Sequence, residues 1–224
     1  MSGLTGGKAG GDQASPQKSV ERAHQAWEKS MIRRIDELRD AIRSCDLRQL
    51  ADSTGGKFDA DRMSFRYWLD MVEVRWPEIH AFTIENGEPL STFDQAMLTY
   101  FLHEADGARM ADRWIGFREL PGGAFYNQAF EGYSGRLIAQ RFGENPQGLE
   151  SAADRLDGTR LSQLAPQAFS FLPLPRIRLA IALWPGDEDF AARASVLFDA
   201  ASSHYMTTDG LALLGAGLAR RLLR

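Results

Sequence analysis

The chain is poor in the residues that carry much of protein chemistry. Its 224 residues include one cysteine, Cys45, and four histidines, and its 26 Lys and Arg are outnumbered by 30 Asp and Glu, for a formal net charge of -4. A single cysteine excludes an intramolecular disulfide, a Cys-rich zinc site and an iron–sulfur cluster held by the chain's own thiolates. A mildly acidic balance gives no general attraction to phosphates, so nucleic acid is not an expected partner. No apolar run approaches the ~18 residues that span a bilayer, so no membrane association is expected either. Met1 to Lys18 is rich in Gly, Ser and Gln and has no apolar centre. It reads as a disordered tail on a cytoplasmic protein.

What remains is ordinary globular composition, 44% hydrophobic and 25% charged, enough to build a sizeable core. Residues 19–224 read as one domain. Val20, Ala23, Trp27, Met31, Ile35, Leu38, Ile42 and Cys45 recur at three and four residues. This predicts a long helix over 19–45, capped by Ser19, with Cys45 buried on its apolar stripe. So long a stripe could serve as a partner or dimer contact. Met63, Phe65, Tyr67 and Leu69 alternate with polar residues and with Trp68, and Val72, Val74 and Trp76 alternate beyond Asp70. That pattern predicts an antiparallel hairpin. Asn86-Gly87 marks a turn.

Ser91 to Ala105 reads as a helix capped by Ser91 with Asp94, Arg113 to Leu120 as a strand, and Phe125 to Phe142 as a helix carrying Phe125, Ala129, Tyr133 and Leu137. A short helix starts at Asn145-Pro146. Strands are predicted at Phe169–Leu172, Ile177–Leu183 and Ser195–Asp199, and a C-terminal helix from about Thr208 through Leu222. The order predicts an α+β fold with a mainly antiparallel sheet packed by several helices.

Two stretches concentrate polar groups and turn residues between apolar runs. In the first, Phe117 to Phe125, Pro121-Gly122-Gly123 separates a strand from a helix. Glycines there let backbone N–H groups approach a ligand, the helix start favours an anion, and Arg118 could add a bidentate contact. The plainer reading is a tight turn with Arg118 and Glu119 at the surface or paired internally. The second, Phe198 to Tyr205, presents Asp199, Ser202, Ser203, His204 and Tyr205. A Ser-His-Asp triad is excluded by its compression into six residues, since triad members converge from separate elements. The plainer reading has Asp199 capping a turn and His204 and Tyr205 satisfying local backbone. The four histidines have no metal-ligand spacing, and Gly215-Ala216-Gly217 lies inside a helix rather than at a dinucleotide turn.

The stretches Trp114 to Gly123 and Ser195 to Tyr205, the following Thr208-Asp209, and the Leu183 to Glu188 turn resemble the bacterial family called domain of unknown function 3786, over about residues 20–224. In some relatives this domain is joined to a small cysteine-rich iron–sulfur segment similar to one in corrinoid proteins of anaerobic one-carbon metabolism. This chain, with its single cysteine, departs from them.

Three readings follow. The first is a small-molecule or cofactor-binding domain with one pocket formed by the two stretches and lined by Arg118, Glu119, Gly122, Gly123, Asp199, Ser203, His204 and Tyr205. The second is an enzyme with Glu119 and His204 as acid and base. The third is a tetrapyrrole or corrinoid accessory protein with His204 or His103 as axial ligand.

Overall fold

A computed structural model describes residues 32–224. Helix α1 is described over 32–42, and Ile35, Leu38 and Ile42 are buried along it as the spacing predicts. Ser19, Val20, Ala23, Trp27 and Met31 lie outside the described residues, as does the N-terminal tail. Cys45 corrects the expectation: it is exposed. The helix ends before it, in a turn at 43–44, so the stripe's phase no longer applies. The Asp46 carboxylate then starts helix α2, Leu47–Thr54, by accepting from the N–H groups of Arg48 and Gln49 at 2.8 and 3.3 Å.

Strands β1 (Lys57–Asp59), β2 (Arg62–Tyr67), β3 (Asp70–Arg75) and β4 (His80–Thr83) form an antiparallel sheet in chain order. The β2–β3 hairpin pairs Met63 with Val74 and Phe65 with Val72, so the alternating apolar residues share the core face. Its turn reverses the expected placement of Trp68 and Leu69. Tyr67 pairs with Asp70, leaving these two residues in the loop, where the period of two lapses. Trp68 takes a left-handed conformation at φ 55° and is buried, while Leu69 is 46% exposed. The Trp68 N–H donates to the Pro173 carbonyl at 2.8 Å, and the Arg221 guanidinium lies 4.3 Å from the centre of its ring.

Helix α3, Thr92–Glu104, is capped by Ser91, whose hydroxyl accepts from the Asp94 N–H at 3.2 Å. It buries Gln95, Ala96, Met97, Leu98, Thr99, Phe101 and Leu102, nearly its whole circumference. Strand β5 covers only Trp114–Gly116. The expected strand to Leu120 stops there because Phe117–Glu119 form a one-turn 3-10 helix, in which the Glu119 carboxylate accepts from the Gly116 N–H at 2.7 Å.

The helix expected over Phe125 to Phe142 is two helices, α4 (Gly123–Tyr133) and α5 (Gly135–Phe142), broken at Ser134. The buried side chains are Phe130, Ile138, Ala139 and Phe142, and the stripe of Phe125, Ala129, Tyr133 and Leu137 points the other way. Phe125 is 89% exposed, Tyr133 and Leu137 are also exposed, and so is Ala129. Both stripes satisfy helical spacing, and the aromatic contacts of Phe130 with Phe117 and Phe198 select between them. Asn145 caps α6, Pro146–Asp154.

The second sheet contains β6 (Thr159–Arg160), β7 (Gln167–Leu174), β8 (Ile177–Trp184) and β9 (Arg193–Asp199) with β5, in the order β5-β9-β8-β7-β6, antiparallel throughout. Central β8 buries Leu179 to Leu183 completely on both faces. Helix α7, Thr208–Leu222, follows its Thr207 cap. The fold is therefore α+β, as expected, with two antiparallel sheets. One apolar core runs through both of them. A chain of rings from Phe65 to Phe101 (5.7 Å) and on to Tyr205 (6.1 Å) joins the first sheet to the segment after β9.

Candidate functional site

The two polar stretches leave opposite ends of one strand pair. Trp114 pairs with Asp199, Ile115 with Phe198 and Gly116 with Leu197 in antiparallel register. Phe117 onward therefore departs from one end and Ala200 onward from the other. The chain just beyond the second stretch returns to the first. The Thr208 hydroxyl at the start of α7 donates to the Pro121 carbonyl at 2.7 Å, and the Phe117 ring lies 4.3 Å from Phe130 and 6.2 Å from Phe198.

In the first stretch, Arg118 and Glu119 are exposed. Gly122 is left-handed, at φ 72°, and open to solvent. Gly123 is required by close approach: a Cβ there would strike the Phe117 carbonyl oxygen. Helix α4 begins here with no side-chain cap.

The second stretch grips the loop 105–113. Asp199 is fully buried and accepts four hydrogen bonds, from the N–H groups of Ala111 (2.8 Å), Asp112 (2.9 Å) and Ala201 (3.0 Å) and from Arg178 Nη2 (2.9 Å). Burial pushes its pKa up, but the Ala111 and Ala201 N–H groups and the Arg178 guanidinium outweigh it, and the carboxyl titrates below its ordinary value. Arg178 also bonds Asp112 at 2.6 Å and stacks over Trp114.

His204 Nδ1 lies 2.6 Å from Asp106 Oδ2. That hydrogen bond, with a second from the Ala108 N–H, lowers the Asp106 pKa. The Tyr205 side chain is buried, and its hydroxyl donates to the Ala108 carbonyl. Ser203 is half-buried, and Ser202 is fully buried with its hydroxyl unpartnered among the described residues. The plainer reading fits Asp199, which caps the turn at Ala201, but Tyr205 bonds backbone far along the chain, at Ala108, rather than locally.

The sequence reading missed Asp106, Asp112 and Arg178, the partners in this grip. Only Arg178 left a signal: a lone charge among the apolar residues of β8, which needs a polar partner once that strand is buried. The loop acids have no periodicity to reveal them.

His103 Nδ1 lies 2.8 Å from Glu104 Oε1, so both histidines considered as axial ligands are engaged at Nδ1. Among the described residues no group of three His, Cys, Asp or Glu side chains is placed to hold a metal ion, and no helix is long and apolar enough to cross a membrane. Five pockets of the described surface, about 250 to 700 Å³ in volume, include none of the residues of the two polar stretches, and one of them is lined by His103.

The fold and these contacts define an α+β protein in which two antiparallel sheets share a core and a carboxylate-centred clamp fastens one long loop. The chain belongs to the family described as Domain of unknown function (DUF3786), whose model matches residues 46–221. No curated protein and no solved structure matches it.

Proposed function

We propose that the chain is a small-molecule-binding domain whose site is the seam between the Pro121-Gly122-Gly123 turn and the segment that leads from Asp199 into α7. The observation that supports this reading is the bond from the Thr208 hydroxyl to the Pro121 carbonyl, 2.7 Å, which holds the start of α7, just beyond the second stretch, against the first. Around it stand the exposed Arg118 guanidinium, the uncapped first turn of α4 and the exposed rings of Phe125 and Tyr126. Arginine and helix-start N–H groups suit a carboxylate or phosphate, and the rings suit an apolar body. The exposed Gly122 lets the ligand reach the backbone, Gly123 keeps the turn tight against Phe117, and Glu119, Ser203 and His204 stand at the margin. The fully buried Asp199 and Tyr205 support that wall from beneath.

Native mass spectrometry of the full chain, purified anaerobically, tests the reading. A retained small molecule that is lost from an R118A/F125A double variant supports it. A bare mass, together with no amide shifts at residues 122–126 on titration with benzoate, overturns it.

A second reading, acid–base chemistry by His204 with Glu119, is favoured by one contact. Asp106 beside Nδ1 assigns the proton to that nitrogen and leaves Nε2 free to exchange one. For any substrate identified, H204Q and E119Q should each abolish turnover while leaving binding intact. Turnover that survives in either variant would sink this role.

A further inference from the structure

We propose that the chain carries a second ligand site, a pocket for a small carboxylate with a short apolar body, between helix α1, strand β4 and the start of α3. The pocket encloses about 300 Å³ and is bordered by Ile32, Ile35, Arg39, His80, Leu90 and Gln95 among others. That volume is at the lower end of small-molecule sites. It shares no residue with the seam proposed above and does not depend on that reading.

The chemistry follows from Arg39. Only 9% of this residue is exposed, the lowest exposure of any charged residue in the described chain except Asp199. Its Nε donates to the Ile79 carbonyl at 3.0 Å and its Nη2 to Gln95 Oε1 at 3.2 Å, both neutral acceptors. Among the described residues, the only carboxylate it meets is Asp36, 3.5 Å from Nη1, and that side chain is 63% exposed. A guanidinium carries five N–H donors, and the three bonds made among the described residues use one on each nitrogen, leaving two. Asx-like neutralisation by Asp36 is weak, because a long contact to a solvated carboxylate is largely screened. A buried cation paired so loosely favours an anion beside it.

Gln95 holds the arginine in place. Its Oε1 also accepts from the Ala81 N–H at 2.9 Å and its Nε2 donates to the Ala81 carbonyl at 2.8 Å, a two-bond clasp onto β4 that fixes the amide. The cation is therefore pre-oriented, and Ile32, Ile35 and Leu90 supply an apolar wall beside it. His80, on the pocket's border, senses the same guanidinium. Burial, and then the charge of Arg39, lower the His80 pKa against the smaller opposing pull of Asp36 and Glu78. One charged fork and an apolar wall in a small cavity match a monocarboxylate rather than a polyanion or a neutral hydrocarbon.

Titration of the full chain with hexanoate, followed by amide and His80 ring NMR shifts, tests the site, with hexanol as the uncharged control. We expect saturable shifts at His80, Leu90 and Gln95, with hexanol binding at least about tenfold more weakly, the loss of one charge-assisted pair. Arg39→Gln should weaken hexanoate by a similar factor. If that variant fails to fold, Ile32→Trp, which fills the rim from a 44% exposed position, should block hexanoate without changing the unfolding midpoint. Absence of saturable shifts at about 10 mM hexanoate would overturn the proposal. So would equal binding of hexanol, or hexanoate affinity unchanged by Ile32→Trp.

Discussion

Asp199 illustrates how much a single side chain can decide. Its carboxylate is the acceptor for three backbone N–H groups and one guanidinium, all drawn from segments distant in sequence or across a tight turn. Asp199→Asn removes the charge while keeping the shape, and leaves Arg178 without its buried partner. It should cost about 3 kcal/mol in urea unfolding, typical of breaking a buried pair from one side. The pH dependence follows from the sign of the shift. The folded pKa lies below the unfolded one. The contribution is therefore complete above the ordinary carboxylate value of about 4 and is lost as pH falls through the lower folded value. Urea midpoints measured at several pH values should show the gap between wild type and Asp199→Asn narrowing below about pH 4, and a constant gap would contradict this role. Gly123 is the other position where one atom matters. Gly123→Ala drives a Cβ into the Phe117 carbonyl and should destabilise by roughly 1–3 kcal/mol, as overpacking does. Gly122→Ala meets no neighbour within 4 Å and should show only the smaller cost of a left-handed alanine, about 1 kcal/mol. Equal losses for the two glycines would mean that the close approach is not the constraint.

Among the elements, α4 and α5 carry the sharpest contrast. The Ser134 hydroxyl donates to the Phe130 carbonyl at the break between them, and the inner face on either side holds Phe130, Ile138 and Phe142. Phe130 is almost completely buried against Phe117 and Phe198. Phe130→Ala should lose about 3–5 kcal/mol, the range for emptying a buried aromatic site. Phe125→Ala, five residues earlier on the exposed face, should stay within about 0.5 kcal/mol of wild type. Thermal melts of the two variants side by side would decide which stripe faces the core. The caps, by contrast, could be read from the sequence. Ser91 before Asp94, Asn145 before Pro146 and the Asn86-Gly87 turn act where their local chemistry places them, because a cap or turn needs only residues a few positions away. The strand expected over Arg113 to Leu120 failed for the converse reason. Glu119 folds back onto Gly116, an option that apolar alternation does not register.

At the scale of the whole molecule, the two sheets are joined by a few specific contacts. The Trp68 N–H bonds the Pro173 carbonyl across from the first sheet to β7, and the Trp68 ring lies against Arg221 of α7. With one apolar core through both sheets, unfolding should be a single cooperative event. Far-UV circular dichroism and tryptophan fluorescence should give coincident urea transitions. Trp68→Ala should lower amide-exchange protection in β3 and β8 by the same factor, whereas loss confined to β3 would show that the sheets unfold separately.

The candidate site divides along the same line. Residue types and spacing were enough to mark the two polar stretches as candidates, to argue against a triad, a thiolate cluster and a dinucleotide turn, and to give the α+β class and most elements, since each of these depends on chemistry within a few residues. Which stripe of α4 is buried, where Trp68 and Leu69 point, and that Asp199 and His204 hold the loop 105–113 were decided only in three dimensions. Those outcomes rest on partners distant in sequence, such as Arg178 for Asp199, 21 residues away, and Asp106 for His204, 98 residues away. No local pattern of charge or hydropathy encodes a contact over that separation.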